Sequence, residues 1–329
     1  MITLMVACSK SPSPQQPLPE IGFTLDLDTK SAVDNSNLHV AGSQITVYDV
    51  HSRTSPSEED QSEAGLVQYI DGKELESDGA AWNFSPKIPW TKRGTHEFFA
   101  YYSRNAADGS SMDGVTVGYE STVAVAAVQT FNLPSWRLTP DNQFDFMYAT
   151  AFRDLIHQDY SPVPLPFRHL FAAVRFRLVN TSTEKKTFQE FSLSGKSDTG
   201  AASIKTTGAP VITSQSITAG NQMVSTVDKE LLSGGGSMYI HAGVGKVTED
   251  GYFLMWPHTA DLYKNIKFTL KMSSSKTIEG KALTEMATVN NWQSGYKYTY
   301  NINVGDDRII FESVDVVDWI NDDLILEER

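Results

Sequence analysis

Cys8 is the single cysteine of the 329-residue chain, and it closes a short apolar run, Leu4-Met5-Val6-Ala7-Cys8, ahead of a polar, proline-rich stretch from Ser9 to Glu20. A small residue directly before a cysteine, with an apolar residue three places upstream of it, is the layout that a lipoprotein signal peptidase reads. The chemistry is thioether formation: the thiol takes a diacylglycerol and, after the cut, becomes the new N-terminus. The competing reading is an ordinary free thiol in the N-terminal tail. Seven residues with no Lys or Arg precede Cys8. That is short of a basic region followed by an apolar core of about 7–15 residues, so the encoded start is expected further upstream. With no second cysteine, a disulfide framework, a CxxC redox pair and a thiolate zinc site are all excluded.

The other reactive side chains form no catalytic or metal-binding pattern. The seven histidines show no HExxH or other close ligand spacing, and His169 reads as a packed or hydrogen-bonded structural residue. Gly243-Val-Gly-Lys246 lacks the upstream glycine and the following Ser or Thr of a phosphate loop, and reads as a hairpin turn. No GxSxG nucleophile elbow occurs. Asp141 and Asp145 could act as a glycosidase pair only if the fold brought them together; Asp145, flanked by Phe144 and Phe146, reads more simply as a cap or turn residue. The six tryptophans could stack on sugar rings, but several lie in alternating apolar runs, so core filling is expected for most. An enzyme is not expected, nor any metal or cofactor.

Charge narrows the partners. Lys and Arg number 27 against 40 Asp and Glu, a formal net charge of −13. Nucleic acids and anionic membranes need clustered cations, so neither surface is expected. No apolar run reaches the ~20 residues of a membrane-spanning helix. Membrane attachment would rest on acyl chains at Cys8, at about 0.8 kcal/mol per buried methylene.

The elements that must position these residues are strands. Ile21-x-Phe23-x-Leu25-x-Leu27, Val174-x-Phe176-x-Leu178, Ile266-x-Phe268-x-Leu270-x-Met272 and Tyr296-x-Tyr298-x-Tyr300-x-Ile302-x-Val304 all alternate with mostly polar neighbours, the period of a strand with one face in a core. Phe144 to Ile156 is the best candidate for a helical turn or short helix, and Val123 to Val128 is ambiguous. Clusters of Gly, Ser, Thr, Asn and Asp at 194–202 and 233–237 supply turn chemistry, and the acidic stretch 55–63 reads as an exposed loop. Three prolines within 162–166 cannot sit in a central strand and mark a boundary. The expected organisation is a leader remnant and linker at 1–19 and antiparallel β-sandwich domains at 20–162 and 163–329.

A family resemblance rests on Asp145-Phe-Met-Tyr-Ala149 followed by Val163-Pro-Leu-Pro-Phe-Arg-His-Leu-Phe-Ala-Ala-Val-Arg-Phe-Arg-Leu178. This resembles the midpoint signature of the fimbrillin-like proteins of Bacteroidales. Gln44 to Tyr48, Trp90 with Phe98 to Tyr102, Leu254 to Pro257, Trp292 to Tyr298 and the terminal Val314, Val316 and Trp319 agree in order. One departure is His258, where the family often has Gln after the proline.

The resemblance implies an all-β subunit of type V pili, two tandem transthyretin-like antiparallel sandwiches exported as an outer-membrane lipoprotein. It implies that a trypsin-like protease releases the first strand, which is then replaced by a strand of another subunit. Main-chain hydrogen bonds would supply affinity and alternate side chains the register. Carried onto this chain, the displaced strand is Ile21, Phe23, Leu25 and Leu27 and the cut follows Lys30, with Arg53 as runner-up; the plain alternative is that the first strand stays put and Lys30 is a solvated turn residue. Leu324 and Leu326 are the candidate donor anchors, two in place of four, so the other readings are a donor that begins within Ile309 to Val317 or a subunit that gives no strand and sits at a tip or base. The expected partners are other pilus subunits, the membrane through lipid on Cys8, and a host or bacterial surface ligand. The alternative on the same scaffold is a stand-alone lipid-anchored binding protein, glycan-binding for instance.

Overall fold

The computed structural model describes residues 17–26, 44–53, 65–78, 82–105, 114–120, 128–138, 144–196, 199–205, 210–216, 223–240, 252–258, 260–272, 277–283, 289, 291–306 and 309–318. Strands dominate them and are numbered β1 to β22 in chain order. The chain is all-β, built mainly of antiparallel sheets, and among the described residues the helical elements are a short helix at Ala260–Tyr263 and a 3-10 turn at Leu155–His157.

The first sheet runs β11 (Arg168–His169), β9 (Phe144–Asp154), β5 (Thr95–Asn105), β2 (Gln44–Arg53), β3 (Gly65–Ser77), β4 (Trp82–Phe84). It is covered on both faces. Phe98, Ala100, Met147 and Ala149 share one core with Ile21, Phe23, Val163 and Leu165, while Phe99, Phe146 and Tyr148 turn to a second. That second core is shared with the sheet β15 (Val211–Ser216), β14 (Thr199–Lys205), β7 (Val128–Asn132), β6 (Thr116–Glu120), to which β8 (Trp136–Arg137) adds through β14. A third core lies between two further sheets. One is β17 (Ser237–Tyr239), β12 (Ala172–Asn180), β21 (Tyr296–Val304), β22 (Ile309–Asp318), with β18 (Phe253–Met255) on β12; the other is β16 (Met223–Leu231), β13 (Lys186–Ser194), β19 (Lys267–Met272), β20 (Thr277–Ala282). Val174, Phe176 and Leu178, and Phe268, Leu270 and Met272, point into it as their alternation predicts.

The expected helix over 144–156 is instead the long strand β9 followed by the 3-10 turn, which Asp154 caps by accepting from the Ile156 amide at 2.9 Å. The physical reason is the double burial. From Asp145 to Ala149 both faces are buried, so the apolar-polar alternation of a half-solvated strand is absent. Pairing also crosses residue 162. β14 lies antiparallel to β7, and β1 (Phe23–Asp26) is parallel to β10 (Val163–Pro166). The stretches 55–63, 123–127 and 243–246 lie outside the described residues.

Candidate functional site

The first strand occupies a groove with two different walls. Residues 19–21 run antiparallel to 88–90: Glu20 bridges Pro89, the Ile21 amide donates to Ile88 O at 2.8 Å, and the Trp90 amide donates to Pro19 O at 2.9 Å. From Phe23 onward the partner changes to β10, in parallel register, Phe23 opposite Val163 and Leu25 opposite Leu165. The Val163 amide donates to Gly22 O at 2.9 Å. Amides of a strand point alternately to its two sides, so Pro164 and Pro166 fall where an N–H would face away from β1. Lacking that donor, they cannot pair with a further strand there.

Ile21 and Phe23 are 6% and 7% exposed, and Leu25 packs half-buried against the same core. Phe23 meets Phe84 and Phe98 edge-on at 5.7 and 5.4 Å between ring centres. Burying Ile21 and Phe23 contributes roughly 3–6 kcal/mol. The expected stripe is thus one face of a real strand through Leu25. Leu27 and Lys30 lie outside the described residues, as do Cys8, Leu324, Leu326 and Trp319. Arg53 is the last residue of β2, opposite Gly65.

Sequence reading missed the groove's underside. Asp49, His51, Thr91 and His96 form a hydrogen-bonded cluster beside Trp90, and Asp49 and His96 are side-chain buried. Burial pushes the Asp49 carboxyl up, opposed by its hydrogen bond to His96. The histidines lie 45 residues apart in sequence, so no motif joins them; only the neighbouring β2 and β5 do.

At the other end of the chain, β22 is an edge strand among the described residues, paired antiparallel with β21. Ile309, Phe311 and Val314 pack half-buried on the third core, whereas Ile310 and Val316 are 40% and 43% exposed. The stretch 309–317 is therefore engaged in its own sheet.

The remaining candidates are structural. His169 bonds through Nδ1 to Asp145 Oδ1 at 3.0 Å, both buried. Asp145 is thus not a cap or turn residue but an interior position of β9 whose carboxylate is held by an imidazole; Asp141 lies outside the described residues. Trp82, Trp90, Trp256 and Trp292 fill cores, so they offer no exposed platform for sugar rings. Among the described residues no group of three His, Cys, Asp or Glu is placed to hold a metal, and no helix is long and apolar enough to cross a membrane.

Comparison with solved structures shows the same fold. A candidate cell adhesion protein from Bacteroides ovatus aligns with TM-score 0.53 and 17% identity over 92% of this chain and 98% of its own. Another from Bacteroides uniformis aligns with TM-score 0.51 and 14% identity over 91% and 99%. A fimbrial protein from Bacteroides vulgatus aligns with TM-score 0.52 and 12% identity, again over 91% and 99%. No curated protein sequence matches. The fimbrillin-like family model matches residues 29–319. That span takes in β2 to β22 and leaves out the ends of the chain, β1 among them, and it places the protein among structural rather than catalytic ones. The chain belongs to the fimbrillin-like family.

Proposed function

We propose that this protein is a fimbrial subunit of the cell surface that assembles by strand exchange, its first strand serving as a removable plug. The observation that carries the reading is the groove. Ile21 and Phe23 are buried, yet β1 is a four-residue strand whose only ladder partner among the described residues is the equally short β10. Removing the segment would expose Phe84, Trp90, Phe98, Val163 and Leu165, an apolar slot lined on one side by β10's free donors. In this reading the chain is exported as an outer-membrane lipoprotein with palmitate-type acyl groups on Cys8. It is cut after Lys30, with Arg53 as second choice, and receives the strand of another subunit. Leu324 and Leu326 supply the anchors this chain gives in turn, since β22 is already paired. Two transthyretin-like units divided near 162 and 163 form the scaffold, and the surface it builds meets host or bacterial ligands.

The test is trimming. Recombinant protein cut after Lys30 should form a ladder of oligomers on unheated gel electrophoresis, and Lys30→Ala should stay monomeric under the same protease. If completely trimmed protein remains monomeric, the strand-exchange reading falls. A stand-alone binding protein remains the second reading because of an open cleft of about 890 Å³ whose wall includes Arg168, Asn291, Gln293 and Tyr296. Glycan-array binding by untrimmed monomer would favour it.

A further inference from the structure

Trp90 is where the segment ahead of β1 is fastened, and it is itself fastened from below. Its amide holds Pro19 O, and the neighbouring Ile88 carbonyl holds the Ile21 amide. Its ring is 1% exposed and stands edge-on to His96 at 5.3 Å and to Phe98 at 5.9 Å. Phe98 in turn carries Phe23. His96 therefore sits one ring away from both the main-chain fastening at 88–90 and the side-chain anchor of β1.

His96 is fixed by a polar series. It donates from Nδ1 to Asp49 Oδ2 at 2.6 Å, and its Nε2 lies 2.8 Å from the Thr91 hydroxyl. The same hydroxyl is 3.2 Å from His51 Nε2 and 3.0 Å from Arg93 O. His51 Nε2 is 2.8 Å from Arg93 O. A carbonyl only accepts, so His51 Nε2 carries a hydrogen; Thr91 accepts from His51, and its single hydroxyl hydrogen is shared between His96 Nε2 and Arg93 O. Thr91 thus hydrogen-bonds two strand-borne imidazoles, on β2 and β5, from within the 88–93 segment that grips the chain ahead of β1. The pairing is not complete, because Trp90 Nε1 is buried without a hydrogen-bond partner among the described residues. A fastening with an unsatisfied donor at its centre depends more on the links that remain.

We infer that the Asp49–His96–Thr91–His51 series is a clasp that sets how readily the first strand leaves its groove. This rests on the strand-exchange reading for its purpose, but its physical content is separate: loosening Thr91 should free residues 19–23 while leaving the distant core intact.

Amide hydrogen exchange on the full chain tests it. Thr91→Val removes the hydroxyl and keeps the shape. Exchange at the amides of Ile21, Trp90 and Val163, whose acceptors are Ile88 O, Pro19 O and Gly22 O, should speed up about tenfold, as expected for one lost internal hydrogen bond. Thr91→Ser, which keeps the hydroxyl, should exchange at wild-type rates. Ile240 and Leu283, bonded to Phe176 O and Ile266 O in the third core, should not change in either variant. The clasp is overturned if the three local amides keep their rates in Thr91→Val, or if the control amides accelerate by the same factor. The two readings fail separately. Local loosening in a protein that never polymerises after trimming supports the clasp and removes strand exchange; unchanged local rates in a protein that does polymerise remove the clasp alone.

Discussion

His258 is the residue at which this chain departs from the family's pattern, and its surroundings decide what the departure does. Its amide donates to Trp292 O at 2.8 Å, its Nδ1 to Trp256 O at 2.5 Å, and its ring stands edge-on to Trp292. Burial, with the nearby Lys196 charge and against the Trp256 carbonyl, brings its pKa down from 6.5 to about 4. A base with a depressed native pKa is held neutral in the fold, so the unfolded chain takes up a proton first as pH falls. Stability should therefore be fully present above about pH 6.5 and decline as pH drops toward 4, by about 3 kcal/mol at most for this group. His258→Gln keeps a donor for Trp256 O and cannot titrate. Urea midpoints from pH 7 to pH 4 should fall less steeply in it than in the wild type; parallel curves would refute the assignment. Gln at this place was legible as the family's habit, but the burial that gives the imidazole its pH dependence was not.

Strands were legible where apolar and polar residue types alternate along the chain. β1, β12, β19 and β21 were each visible as alternation. β9 was not, because it separates two cores and no polar residue marks a solvent side between Phe146 and Ala149. The prolines at 164 and 166 signalled that β10 could not be central, and it is not; what they did not reveal is that β10 still pairs on its other side, with β1. That arrangement makes a prediction about edges. Replacing Pro164 and Pro166 by Thr restores two donors on the far side of a short strand, a template for unwanted pairing. The double variant should show concentration-dependent self-association in light scattering without any protease, where the wild type stays monodisperse. Equal behaviour of the two would show that the far side is closed by something other than the missing donors.

At the level of the whole molecule, the boundary signal at 162–166 marks a change of direction that the chain stitches across. β6, β7 and β8 precede it in sequence, yet β7 and β8 pair with β14, and β10, just past it, completes the core beneath β1. No local pattern reports a ladder between residues some 70 positions apart, such as Phe131 and Ile204, so this part of the architecture was invisible in sequence. A protease site inserted between Tyr160 and Ser161 should, once cut, leave both fragments in one peak on size-exclusion chromatography, to separate only in denaturant. Separate peaks in native buffer would mean that the cross-boundary ladders contribute little. The two prolines of β10 carry one more consequence at this scale. A groove with a single usable lane admits one guest, and only after its resident has gone. Polymers built through it would be strictly one-to-one at each joint, so they would lengthen without branching, and each fibre would keep one unfilled groove and one unused donor however many subunits it held.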